Sequence, residues 1–429
     1  MHKKARTSKK QGWPPRPRNL VIGLTGPVGS GCSTMAKTLE SSHDFRRYKI
    51  SDEIRSELES KGALAEKPRE NWRKAMQDHG NLRRQEKPEY WSEKIADKIF
   101  QDVSDEKPIV IDGIRNHHEV RFLRHTFPNF FLIAVCAEKE NRWPRVKDDY
   151  DGRQAEFERD DRRDQNENVE HGQTVQRCVD DADFIYCNDT QHIVRVAGTE
   201  KPDTIAIETE FKKQASDFVL LLKGDLHGRT PTTEELQIAA AYALSNASGC
   251  LKRHVGAVIT VNDRGLEVPI SVGYNDSPAG VTRCMQSGRC RKDDYLSSWF
   301  GAQGKVHCPH CGKEHHSPTH TTLCECGHSL RDWLQPLRGM QFCRAVHAEE
   351  RAIRSLGQRN VKDGILYVTS FPCFQCARMI LDTGIREVVY VEAYPQPEAR
   401  DFLKENGCKV RPFNGFTARS FFRVFPRVS

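Results

Sequence analysis

The chain has 429 residues, which at about 150 residues per domain allows two or three domains. Its hydrophobic fraction of 37% and charged fraction of 29% fit folded cores with solvated segments. The longest apolar run, 130–137, falls well short of the ~18 residues of a bilayer span, so no transmembrane helix is expected.

The net charge of +7 is local in origin, because the first eighteen residues carry seven Lys or Arg and no acid. Residues 1–19 read as a disordered basic tail with no apolar segment of the secretory type, and a reducing, cytoplasmic setting is expected. Its charge would serve solubility or a weak contact with nucleic acid or phosphate. A first domain is expected over 20–195. NLVIGLTG predicts a strand, Gly26-Pro27-Val28-Gly29-Ser30-Gly31-Cys32-Ser33 a tight turn, and STMAKTLESS a helix. PIVIDGI at 108–114, NFFLIAV at 129–135 and ADFIYCND at 182–189 predict further buried strands. Strands alternating with helical segments imply a parallel sheet of the α/β class.

Residues 196–231 read as a linker, and a second domain is expected over 232–429. TPTTEELQIAAAYALSNAS opens with helix-start residues. VGAVITV and EVPISVGY, joined by NDRG, predict a β-hairpin. An insertion rich in Cys and His occupies about 284–343. The pattern then resumes as helix (AEERAIRSL), strand (ILYVTSF), helix (CFQCARMILDTG) and strand (EVVYVEAY), a smaller α/β/α layer.

Fifteen cysteines are present, eleven of them from Cys250 onward. In a reducing compartment such clustering points to metal rather than to disulfides. His347-Ala348-Glu349 and Pro372-Cys373-Phe374-Gln375-Cys376 form the H-x-E…P-C-x-x-C pattern of zinc-dependent nucleobase deaminases. Pro372 suits the first turn of a helix, and Cys373 and Cys376 then share one face. Exposed amide groups at the helix start favour the thiolates. His347 completes three zinc ligands and leaves a fourth position for water, whose pKa such a metal lowers to about 7. Glu349 would carry a proton from that water to the ring nitrogen and then to departing ammonia. The alternative is a structural zinc knuckle at Cys373 and Cys376, with His347 an ordinary core residue.

Cys308-Pro309-His310-Cys311-Gly312 and Cys324-Glu325-Cys326-Gly327 read as two facing knuckles that close a second, structural Zn2+ site. One residue separates the second pair, so His315, His316, His320 or His328 could replace a ligand. Cys284, Cys290 and Cys343 read as packed apolar side chains, with metal binding the alternative.

Ser248-Gly249-Cys250-Leu251-Lys252-Arg253-His254-Val255-Gly256-Ala257-Val258-Ile259 and Ile270-Ser271-Val272-Gly273-Tyr274-Asn275-Asp276-Ser277-Pro278 resemble the opening of deoxycytidylate deaminases. With the two zinc motifs, the resemblance covers roughly 232–400. It implies that Asn275 contacts the deoxyribose. Lys252 and Arg253 would meet the substrate phosphate or remain solvated, and Tyr394 would stack near the base or pack in the core.

The loop at 26–33 resembles a Walker A turn, in which Gly26, Gly29 and Gly31 let backbone amides cradle phosphate. Cys32 stands where the lysine belongs, which favours binding over phosphoryl transfer. Ser33 and Asp112 would support Mg2+ beside a nucleotide, and Arg115 follows closely. Arg142, Arg145, Arg159, Arg162 and Arg163 resemble the lid of nucleoside and nucleotide kinases, or form a solvated helix face. The first domain is thus read as a P-loop kinase relative holding a nucleotide effector. The fusion resembles bacterial antiphage deoxycytidine nucleotide deaminases. That resemblance implies conversion of dCTP to dUTP and dCMP to dUMP, depletion of the phage's precursor pool, inhibition by a small noncoding RNA, and a homo-oligomer. Two other readings remain: a nucleic-acid cytosine deaminase using the tail and the extra knuckle, and a nucleotide- or RNA-binding regulator without turnover.

Overall fold

The computed structural model describes residues 19–62, 72–102, 107–165, 172–189, 204–222, 230–295, 298, 305–308, 310–316, 324–326, 343–359, 361–392 and 397–425. Residues 1–18 of the expected 1–19 tail, together with Tyr394, His320 and His328, lie outside the described residues. The chain forms two compact units, 1–231 with 414–429, and 232–413.

The first unit is built on β1 (Val21–Thr25), β2 (Arg46–Lys49), β3 (Ile109–Asp112), β4 (Phe130–Cys136) and β5 (Phe184–Cys187), which pair in parallel. With β13 (Gly415–Phe416), the order across the sheet is β13-β5-β4-β1-β3-β2. Every residue of β1 and β3 is buried, as their unbroken apolar runs require of strands covered on both faces. Ile22, Leu24, Val110 and Ile133 share a core with Met35, Ala36 and Leu39 of the helix Cys32–His43. The edge strand β2, RRYK, is half-buried throughout and carries no apolar run by which to read it.

Two expected boundaries change. Part of the presumed linker is the helix Thr204–Leu222, which buries Ala215, Phe218 and Val219 in the same core. The second unit ends at 413 rather than 429, because the chain from Asn414 returns to the first unit. There β13 pairs antiparallel with β5, covering what would otherwise be an open strand edge. Phe416 is fully buried, its ring 4.9 Å from that of Phe184 and 5.4 Å from that of Phe218. Thr417 Oγ1 donates to Ala182 O at 2.7 Å and secures the turn into the last helix, Ala418–Val424.

The second unit holds β6 (Gly256–Asp263), β7 (Leu266–Tyr274), β10 (Ile365–Ser370), β11 (Glu387–Glu392) and β12 (Lys409–Pro412), in the order β12-β11-β10-β6-β7. β10, β11 and β12 run parallel, and β6 is antiparallel to both β10 and β7. The β6–β7 turn uses Arg264 at φ 53° and Gly265 at φ 86°, the two positive values a type I′ hairpin demands. The helix Thr233–Ser245 begins with a capping box between Thr232 and Glu235. The insertion contributes a small antiparallel pair, β8 (Lys305–His307) and β9 (Glu314–His316). Both units are mixed α/β, as the sequence implies. Among the described residues, no helix is long and apolar enough to cross a membrane.

Because β13 closes the first sheet through one fully buried ring, Phe416→Ala is expected to cost about 3–5 kcal/mol. Phe422→Ala, on a side chain 80% exposed, should stay within about 0.5 kcal/mol. Urea denaturation of the two variants measures this. Equal shifts would mean that β13 does not carry the closure.

Candidate active site

Two helix starts converge in the second unit. His347 is the N-cap of the helix Ala348–Ser355, and Cys373 is the N-cap of the helix Phe374–Asp382. Cys376 is the third residue of that second helix. Pro372 thus precedes the cap and does not occupy the first turn, so it fixes the approach to the helix rather than its opening residue. Gly273 of β7 makes the convergence possible. A Cβ there would stand 2.2 Å from Ala348 O and 2.5 Å from Ala352 N, so only glycine admits the first helix so close to the hairpin.

His347 Nδ1 lies 3.4 Å from Cys373 Sγ and 3.3 Å from Cys376 Sγ. The three ligand atoms fall within 4.8 Å of one another, and one imidazole with two sulfurs is a donor set suited to zinc. A hydrogen bond from Cys376 holds Cys373 down at about 4, and the same bond pushes the Cys376 thiol up. The hydrogen bond to Cys373 raises His347 to about 9. Metal binding would displace these shared protons. Glu349 is 4% exposed and lies within hydrogen-bond reach of the Cys376 sulfur. Burial lifts its carboxyl to about 7.

Asn275 faces the segment from Lys252 to Val255. Its Oδ1 accepts from Val255 N at 2.7 Å and its Nδ2 donates to Arg253 O at 2.9 Å, so it shapes this loop. Arg253 Nη1 donates to Ser370 Oγ at 2.8 Å, at the end of β10 and three residues before Cys373. Lys252 is paired with Asp293. Sequence reasoning missed Arg283, which pairs with Asp276, donates to Ala247 O and packs against Gly249. A lone arginine after a proline-glycine loop gives no signal of those distant partners.

In the insertion, Cys308, Cys311, Cys324 and Cys326 gather with their sulfurs within 4.8 Å of one another. Cys308 lies 3.6 Å from Cys326 and Cys311 3.5 Å from Cys324. Among the described residues, the four cysteines therefore make a set without histidine, despite the short spacing of the second pair. Cys250, Cys284, Cys290 and Cys343 line one cavity but form no comparable set among the described residues.

In the first unit, the phosphate loop joins β1 to its helix with Gly29 at φ 80° and Gly31 at φ 109°. A Cβ on Gly26 would come within 2.1 Å of Val135 O. Burial raises the Cys32 thiol to about 11, so position 32 is neutral. Ser33 Oγ donates to Asp112 Oδ2 at 3.0 Å, and Arg47 Nη2 donates to the same oxygen at 2.6 Å. Arg142 is buried, forks onto Asp161 and donates to Val28 O at 2.9 Å. Arg145 donates to Asn188 O at 2.7 Å, and Asn188 Nδ2 to Ser30 O at 2.7 Å. Arg142 and Arg145 thus brace the loop rather than line a solvated face. Arg163 pairs with Asp78 and Arg115 with Asp164. The Arg162 side chain lies outside the described residues.

A profile for the cytidine and deoxycytidylate deaminase zinc-binding region matches residues 231–392, and a profile for an AAA domain matches residues 22–171. The deoxycytidylate deaminase of Saccharomyces cerevisiae is 29% identical over 186 residues, covering 43% of this chain and 46% of that protein. The chain thus spans about half the length of this relative. A UPF0200 protein of Methanothermobacter thermautotrophicus is 31% identical over 150 residues, 33% of this chain and 71% of that protein. The deoxycytidylate deaminase of Enterobacteria phage T2 is 32% identical over 186 residues, 41% of this chain and 88% of that protein. Matched along most of that phage protein, and bringing His347, Cys373 and Cys376 together, the chain belongs to the deoxycytidylate deaminase family.

Proposed function

We propose that the second unit hydrolyses the amino group from free deoxycytidine nucleotides, dCTP to dUTP and dCMP to dUMP. The observation that carries this reading is the convergence of His347, Cys373 and Cys376 beside a buried Glu349. Zinc held by those three residues supplies a Lewis acid that brings the pKa of water to about 7. Glu349 takes one proton of the attacking water at its carboxylate and passes it to the ring nitrogen as the oxygen bonds to C4, then takes the remaining proton of that hydroxyl and passes it to the departing amino group. The C4–N4 bond breaks, a carbonyl replaces the amine, and ammonia leaves. Burial that holds Glu349 near neutrality suits a group that must both accept and donate.

Asn275 orders the substrate loop and offers its amide to the deoxyribose, while Arg253 meets the phosphate. Lys252 can join only by releasing Asp293. The four insertion cysteines hold a structural Zn2+ that orders the polar segment around β8 and β9. The first unit binds a nucleotide effector at the loop 26–33 and controls turnover. In this reading the physiological consequence is depletion of the dCTP pool available to a phage. A homo-oligomer and restraint by a small noncoding RNA complete it.

Purified full-length protein supplied with dCTP and dCMP should release dUTP and dUMP with equimolar ammonia, and leave cytosine in a single-stranded oligonucleotide intact. Failure to convert either mononucleotide with zinc bound would overturn the substrate assignment. Glu349→Gln should lower kcat by about 10²- to 10⁴-fold with zinc content unchanged by elemental analysis, and retained turnover would remove Glu349 from the proton path. Elemental analysis of the unaltered protein should find two zinc ions per chain, one for each ligand set. Cys311→Ser should leave one, and undiminished zinc in that variant would separate the insertion from metal binding.

A further inference from the structure

The phosphate loop and the strand beside it depart from a metal-assisted nucleotide site at two positions. The first is Cys32, a neutral thiol where a lysine would supply positive charge. The second is Arg47, the second residue of β2, which lies next to β3 and its terminal Asp112. In a Mg2+-supporting loop, the Ser33 hydroxyl and an acid such as Asp112 hold the cation or its water shell. Here Asp112 is 1% exposed, and its Oδ2 receives Ser33 Oγ at 3.0 Å and Arg47 Nη2 at 2.6 Å.

Mg2+ demands nearly octahedral oxygen ligands at short range and gives up its water reluctantly. A permanently charged guanidinium on the same carboxylate oxygen both blocks that geometry and repels a divalent cation. The residues therefore do not fit a Mg2+ site as they stand. They fit something else. Among the described residues, Arg47 Nε is buried without a hydrogen-bond partner, a donor left over on a side chain that is still 16% exposed. A planar guanidinium with a spare N–H beside an amide-lined loop matches the oxygens of a phosphate.

We infer that the loop 26–33 takes the phosphate chain of a nucleotide without a divalent cation, with the Arg47 guanidinium in the metal's place. The positive charge missing at position 32 is restored at position 47, on the side of the site where Mg2+ would stand. Asp112 holds Arg47 in position rather than holding metal, and no phosphoryl bond is made or broken. The inference rests on reading the first unit as a nucleotide site.

The test is ATP binding to full-length, zinc-loaded protein by calorimetry, in magnesium-free buffer and with millimolar Mg2+. ATP is used because it is not a cytosine nucleotide. The unaltered protein should bind with Kd values that differ by less than about threefold between the two conditions. Arg47→Gln should weaken binding by about tenfold or more without Mg2+ and recover much of it when Mg2+ is added. Asp112→Asn, which keeps an acceptor for Arg47 and removes the carboxylate a metal would need, should bind within about threefold of the unaltered protein in both conditions, and a loss of about tenfold would overturn the proposal. It serves as the second variant should Arg47→Gln fold poorly. Loss of about tenfold or more on withdrawing Mg2+ from the unaltered protein, or unchanged binding in Arg47→Gln, would overturn the proposal. Absence of ATP binding in both conditions would overturn it together with the effector reading of the loop.

Discussion

The close approach of one helix to one hairpin sets the geometry of the second unit. Gly273 leaves no side chain between β7 and the helix Ala348–Ser355, and that contact places the N-cap His347 opposite the N-cap Cys373 at the far end of β10. Both helices point their exposed amide groups toward the same spot, an arrangement that favours negative charge there. The two sulfurs and Glu349 are the groups that bring it. A larger residue at 273 would move the imidazole before it touched either cysteine, so the metal set depends on a backbone position outside both motifs.

What the sequence revealed and what it concealed divide by distance along the chain. The zinc ligands could be read because each half of the set is local: His347 and Glu349 are two residues apart, and Cys373 and Cys376 share one helix turn. Buried strands β1, β3 and β4 were equally plain as unbroken apolar runs. β2 was not, because its RRYK has no apolar periodicity and its pairing with β3 has no signature in the sequence. The role of Arg47 vanished with it. The helix Thr204–Leu222 was hidden by its polar surroundings. The destination of Phe416 could not be read because its partners, Phe184 and Phe218, lie some two hundred residues upstream. Arg283 belongs to the same class, since its value comes from Asp276 and Ala247 rather than from its neighbours.

Buried carboxyl groups are treated in two ways. Burial keeps the proton affinity of Glu349 high. Elsewhere buried carboxylates are answered by arginine: Asp161 by Arg142, Glu119 by Arg84 and Asp112 by Arg47 in the first unit, and Asp276 by Arg283 in the second. Such pairs fix geometry and are costly to break one partner at a time. A buried carboxyl with raised proton affinity and carboxylates clamped by arginine thus draw opposite uses from the same low-dielectric interior.

The return of the chain to its first sheet imposes an order on biosynthesis. β13 is translated only after the whole second unit, so β5 waits with its outer edge exposed while nearly two hundred and thirty residues are added. During that interval the second unit has all of its own strands and can fold on the ribosome, whereas the first lacks the segment that seals it. The nascent chain therefore passes through a stage in which the second unit is complete and the first is not. The unprotected strand edge at that stage is the natural place for a chaperone, or for a neighbouring nascent chain, to attach.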